Sequence, residues 1–167
     1  MVTFNDKVAF EAAAPDPLRL LDFDTDATGA AIVAGSPGVH AGGHYKPYGI
    51  VFEAGVIFGE PNFPFNGISA PNTITDSGVN TPTPAIVDGV FIAPVYEVGI
   101  TNLGAEAELR IFDQANVLIG SVRSDADEGT KDFIGLISGI PIYRMEYDFA
   151  GGMSFEGDDL LITEVVP

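Results

Sequence analysis

Over the second half of the chain, apolar and polar residues alternate in short runs. Leu109 and Ile111 alternate with Glu108 and Arg110, and Tyr143, Met145 and Tyr147 alternate with Arg144 and Glu146. A period of two marks a strand with one face buried, as in antiparallel sheets. The pattern predicts strands over 85–92, 95–101, 107–112, 117–122, 133–137, 142–149 and 160–166. Turn-forming stretches separate them, among them Asp113-Gln114-Ala115-Asn116, 125–129, Ser138-Gly139 and Ala150-Gly151-Gly152. In the first half, 18–24, 48–53 and 56–58 read the same way. Many short strands with frequent turn signals predict an all-β fold, an antiparallel β-sandwich of jelly-roll or Ig-like type. Residues 59–84 read as a loop, because Pro61, Pro64, Pro71, Pro82 and Pro84 are incompatible with a central strand.

The N-terminus allows two readings. In the first, Asn5 caps a short helix whose start is favoured by Asp6, and Pro15 and Pro17 end it. In the second, 2–10 is an extended strand with Phe4, Val8 and Phe10 on one side. The prolines would then set off residues 1–17 as an arm able to add to the sheet edge of another subunit.

Composition narrows the function classes. A chain of 167 residues fits one domain spanning 1–167. Seven Lys and Arg stand against 24 Asp and Glu, for a net charge of −17. That excludes nucleic acid as a partner, since phosphate neutralisation needs a basic stripe. With no cysteine there is neither a disulfide framework nor thiolate chemistry. No apolar run is long enough for a transmembrane segment.

Candidate chemistry is sparse. His40 and His44 flank Gly42-Gly43, which disfavours the helix a His-x-x-x-His zinc pair needs. No Gly-x-Ser-x-Gly elbow or phosphate-binding glycine loop occurs, and no catalytic residues are assigned. Asp22 and Asp24 end the first predicted strand, and Asp158 and Asp159 precede the last. If these strands are neighbours, the four carboxylates meet and suit a structural Ca²⁺, which takes six to eight oxygen ligands. With no Trp, candidate sugar-stacking platforms are Tyr45, Tyr48, Phe63 and Phe65, although aromatic rings more often close a core.

The ordered series Thr3-Phe4-Asn5-Asp6-Lys7-Val8-Ala9-Phe10, Leu21-Asp22-Phe23-Asp24, Tyr48-Gly49-Ile50-Val51-Phe52, Ser69-Ala70-Pro71-Asn72, Val95-Tyr96-Glu97-Val98-Gly99-Ile100 and Asp158-Asp159-Leu160-Leu161-Ile162 resembles a family of bacterial secreted β-sandwich proteins of PEP-CTERM-associated type. The resemblance implies an extracellular or cell-surface, non-catalytic module. Two functions are expected from these readings together. The first is a structural surface protein, a self-assembling pilus-like filament subunit that uses strand addition through Phe4, Val8 and Phe10. The alternative is a Ca²⁺-stabilised carbohydrate-binding module with an extracellular polysaccharide as partner.

Overall fold

The computed structural model describes residues 1–33, 41–53, 56–59, 72–76, 86–104, 106–124, 130–149 and 156–164. In chain order these form β1 (Val2–Phe4), α1 (Lys7–Ala13), β2 (Leu18–Leu21), a 3-10 turn (Lys46–Tyr48), β3 (Ile50–Phe52), β4 (Val56–Gly59), β5 (Thr73–Asp76), β6 (Ile86–Gly104), β7 (Ala107–Phe112), β8 (Leu118–Arg123), β9 (Thr130–Phe149) and β10 (Glu156–Thr163). All strand pairs among the described residues are antiparallel.

The spine is the pairing of β6 with β9, of 19 and 20 residues. Straight strands of that length would span roughly 60 Å, more than a domain of this size can hold. Both therefore turn a corner. Their register shifts between Val90 and Val95 and again between Val95 and Glu97, with Pro94 and Pro141 beside the break. Strands that bend from one layer into the other make the corners of a sandwich. Before the corner, β6 pairs β3 and the second half of β9, which continues to β7 and β8. After it, β6 pairs β10 and the first half of β9, which continues to β1. β10 carries β2 and β5 on its other side, and β5 carries β4.

The result is a β-sandwich with one short helix. Its inner faces meet in one core holding Val87, Leu109, Ile111, Met145 and Tyr147 from the first layer and Val98, Ile100, Ile134, Leu136, Leu160 and Ile162 from the second. Sequence alternation marked the strand positions, but four predicted strands are the halves of two continuous ones. β5 lies inside the stretch read as a loop.

The N-terminus uses both of its sequence readings in succession. β1 adds to β9 of the same chain, with Val2 opposite Ile137 and Phe4 opposite Gly135. The helix then starts at Asp6, whose side chain accepts from the Ala9 amide at 2.7 Å, so the cap is Asp6 rather than Asn5. Phe4, Val8 and Phe10 do not share a face: Phe10 is fully buried, Phe4 half-buried and Val8 72% exposed. Within one chain the segment thus presents no row of these three side chains. The arm closes on its own domain, because one helical turn separates Phe10 from the strand and swings Val8 to solvent.

Phe10 seats in a socket on the outer side of the second layer. Its ring packs against Phe133 (centroids 5.2 Å apart) and Phe4 (5.6 Å, edge-on). The floor is Gly99 and Gly135, directly opposite each other on β6 and β9. A Cβ at Gly135 would lie 2.8 Å from both the Phe10 and Phe133 rings. We therefore expect Gly135→Ala to cost about 1–3 kcal/mol by overpacking. Urea denaturation reads this directly.

Candidate functional site

The outer face of the first layer carries a patterned surface. On β7, Ala107, Leu109 and Ile111 point into the core, so Glu108, Arg110 and Phe112 point out. On β9, burial of Met145 and Tyr147 turns Arg144, Glu146 and Asp148 outward, and on β6 burial of Val87 and Phe91 does the same for Asp88 and Val90.

Register then aligns these residues into rows across the strands. Leu118, Phe112, Arg144, Val90 and Val51 form one row from β8 to β3. The next row holds Ser121, Arg110, Glu146 and Asp88, and the third Arg123, Glu108, Asp148 and Ile86. The first row spans four inter-strand spacings, roughly 19 Å. Apolar side chains dominate it, and Leu118 and Val90 are exposed.

The second and third rows are a lattice of opposite charges. Arg144 grips Asp88 through Nε (2.9 Å to Oδ1) and Nη2, and also bonds Glu146. Arg110 lies 3.3 Å from Glu146 and donates to Asp148. Arg123 reaches Glu108 at 3.4 Å. The Arg144 guanidinium also lies 4.8 Å from the centre of the Phe112 ring, and its Nη1 donates to Asn116 Oδ1 at 2.8 Å. That last bond ties down the β7–β8 turn, where Asn116 has φ +61° and Asp113 accepts from the amides of Ala115 and Val117.

Three of the chain's seven basic side chains therefore stand on this one face, each committed to carboxylates. Hydrogen bonds to the charged form set the protonation here. Burial alone would push the Glu108 carboxyl up, but hydrogen bonds from Ser121 and Arg123 bring it below the usual range. The Asp88 hydrogen bond, acting against burial, holds the Arg144 proton more firmly than usual. A general acid needs its proton retained near neutral pH, whereas Glu108 holds its proton less firmly than an ordinary glutamate. The surface presents fixed charges beside an apolar row.

The residues singled out from the sequence fall elsewhere. β2 and β10 are indeed neighbours, with Leu21 opposite Leu160, but their carboxylates serve separate tasks. Asp22 accepts from the amides of Asp24 and Thr25 and shapes the turn after β2. Asp24 accepts from the Asn72 amide at 2.7 Å. Asp158 is buried within β10. Asp159, at a bulge with φ +50°, pairs with Lys7 at 3.0 Å. Among the described residues no group of three or more His, Asp or Glu is arranged to hold a metal ion, so the calcium expectation finds no ligand set there.

Tyr45 is a core residue. It is 1% exposed, its hydroxyl donates to the Thr25 carbonyl at 2.8 Å, and its ring packs with Phe23, Phe52 and Tyr48. It offers no open stacking face, a correction that follows from its place at the bottom of an aromatic cluster. Tyr48 is half-buried, with the Arg19 guanidinium over its ring at 4.4 Å. Phe63, Phe65 and His40 lie outside the described residues.

Sequence reasoning missed the charged lattice. Its signal was present in the alternation of Glu108/Arg110 and Arg144/Glu146, but alternation alone reads as an ordinary solvated face. Only the cross-strand register shows that Arg110 stands opposite Glu146 and that Glu146 stands opposite Asp88.

No helix among the described residues is long and apolar enough to cross a membrane. No protein-family model matches the chain, and no curated protein matches it in sequence. Solved structures do match in shape. One is a family 29 carbohydrate-binding module variant complexed with mannohexaose, at 9% identity, TM-score 0.51, covering 92% of this chain and all of that one (100%). A second family 29 carbohydrate-binding module matches at 9% identity and TM-score 0.46, covering 89% of this chain and 88% of that one. The enzymatically active domain of tailspike protein 4 from bacteriophage CBA120 matches at 15% identity and TM-score 0.41, with 82% of this chain but 22% of that one. At these identities, what this chain shares with the mannohexaose-bound module is a fold, the antiparallel β-sandwich.

Proposed function

We propose that this chain is a non-catalytic carbohydrate-binding module, and that its glycan lies along the row Leu118, Phe112, Arg144, Val90 and Val51. The observation that carries this reading is the pairing of an apolar row with a parallel row of fixed hydrogen-bonding charges on one sheet face. Sugar rings present apolar C–H patches and polar hydroxyls on adjacent sides, so such a face meets both. Binding sites of this kind are mostly apolar, with a few placed polar groups fixing orientation. A fold shared with a module solved with mannohexaose is consistent with the reading.

The charge pattern favours an uncharged polysaccharide. The guanidinium groups on the face already hold carboxylates, and the chain carries a net −17, so a polyanionic glycan meets long-range repulsion. With an uncharged structural or matrix polysaccharide as ligand, the proposed site of action is extracellular.

Affinity electrophoresis against neutral and anionic polysaccharides tests this. The expected result is retardation by one or more neutral polymers and none by polyuronates. Val90→Asp, at an exposed position, is expected to weaken that retardation at least tenfold while the melting temperature moves by only a few degrees. Absence of binding to every neutral polymer tried overturns the function. Full binding by Val90→Asp overturns the assigned face.

A further inference from the structure

Glu97 is a carboxylic acid with no counter-charge in a place where water does not reach. It sits on β6 two residues before Gly99, and it is completely buried. One oxygen accepts from the Thr163 hydroxyl, and the other, Oε1, has no hydrogen-bond partner. The Thr163 oxygen in turn accepts from the amides of Tyr96 and Glu97, at 2.8 and 3.0 Å. Thr163 is thus pinned to β6 and has its single proton to give.

Among the described residues, the groups around Glu97 offer no cation. From β10 it meets Thr163, and the next residue, Glu164, is held by Arg19. From β9 its register partner is the apolar Ile137. From the connection between α1 and β2 comes Asp16, a like charge. On α1 the neighbour over Gly99 is Phe10, and Lys7 is taken by Asp159. Burial first, and the Asp16 charge in addition, push the Glu97 carboxyl above its ordinary range, against the Thr163 hydrogen bond.

We propose that Glu97 is a pH-sensitive latch on the N-terminal segment β1–α1: protonated, it lets the segment dock on the sheet, and ionised, it drives the segment off. The sheet around Glu97 is locked by the β6 ladders to β9 and β10. The cover on its outer side is the shorter path to water, because residues 1–17 are held by three β1 pairs, the Phe4 and Phe10 rings, the Lys7–Asp159 ion pair, and hydrogen bonds from Asn5 to the Arg123 carbonyl and from the Glu164 amide to the Pro17 carbonyl. The direction follows from the charge. A carboxyl whose proton is held more firmly when docked favours docking at pH below its undocked value, near 4.5. That preference is lost as pH rises through the docked value.

Amide hydrogen exchange on the whole chain, corrected for intrinsic rates, reads the latch. The Phe10 and Ala14 amides, bonded to Asp6 and Phe10 carbonyls, are the probes. In the natural sequence their protection is expected to fall by about tenfold for each unit by which the two pKa values differ, as pH rises from 4.5. In Glu97→Gln, which cannot ionise, their protection is expected to stay level with pH. In Asp16→Asn, where the docked value moves down towards the undocked one, the fall is expected to be smaller and to level off at lower pH. An identical pH profile in Glu97→Gln overturns the proposal. Carbon-detected titration of the Glu97 carboxyl in the natural sequence gives an independent check if that variant misfolds. A midpoint at or below 4.5, or one that does not coincide with the loss of Phe10 protection, overturns it equally.

Discussion

Phe10→Ala is expected to remove about 3–5 kcal/mol of folding free energy, the usual cost of truncating a fully buried aromatic ring. The socket explains why the upper part of that range applies. Two facing glycines, Gly99 and Gly135, form its floor, so nothing can fill the space from below, and only the Phe4 and Phe133 rings beside it can lean in. The remaining Phe133 and Leu161 would lose their cover and become exposed to water. A domain of this kind has about 5–15 kcal/mol in total, so the variant is left with a fraction of its stability. With about 2–4 °C lost per kcal/mol at this size, the melting temperature is expected to fall by about 10 °C. Val8→Ala on the exposed side of the same helix is the internal control, expected within about 0.5 kcal/mol of the natural chain. Calorimetry on the two variants checks both numbers.

The second large effect is expected at Arg144. One guanidinium serves Asp88, Glu146, Phe112 and Asn116 at once. Arg144→Ala leaves Asp88 and Glu146 directly opposite each other on neighbouring strands, with Arg110 alone beside them. Removing one partner of a buried ion pair costs about 3–5 kcal/mol. Arg144, Asp88 and Glu146 keep 13–24% of their side-chain surface in water, so screening reduces the expected loss to about 2–3 kcal/mol. Glu108 in the natural chain behaves in the opposite sense to Glu97. Its pKa is lowered, so its contribution is present above the unfolded value and lost as pH falls through the folded one. Urea melts at pH 3.5, 5 and 7 read that loss. Arg144→Ala is also expected to release the β7–β8 turn and weaken glycan retardation.

Alternation at Leu109/Ile111 and Met145/Tyr147 made the strands legible in the sequence because one side of each must be dry. The same reasoning could not show that β6 and β9 each pass through two layers. Pro94 and Pro141 read locally as interruptions, whereas in the fold they lie at bends that the ladder passes through. β5 was hidden for a related reason: Thr73, Ile74, Thr75 and Asp76 are too few to show a period and lie between proline-rich stretches. The helix was legible from its alanines and the prolines that end it, with its cap one residue later than expected, but its partner was not. Gly99 and Gly135 carry meaning only once they face each other. For the candidate site, the residue types were visible and the pairing was not. Charged residues on a half-exposed strand look alike whether they are solvated singly or locked into rows, and register decides between the two. Of the acidic residues that stood out in sequence, Asp22 proved to be a turn-forming side chain, and Asp24 ties that turn to the amide of Asn72. Short acids at the end of a strand most readily satisfy nearby backbone amides.

The doubled length of β6 and β9 has a consequence for how the chain is made. A polypeptide emerges from its N-terminus, so β6 is complete well before either strand that will flank it after the corner, β9 and β10, has left the ribosome. At roughly 5–20 residues per second, the wait for the end of β9 is a few seconds. During that time the part of β6 after the corner, carrying Val95, Val98, Ile100 and Leu103, lacks both of its ladder partners. Neither layer can close first, because each borrows half of the same two strands, so the domain is expected to fold late and in a single step. The prolines at the corners and the surplus of carboxylates then have a role in the nascent chain. They keep an unpaired strand bent and self-repelling until its partners arrive.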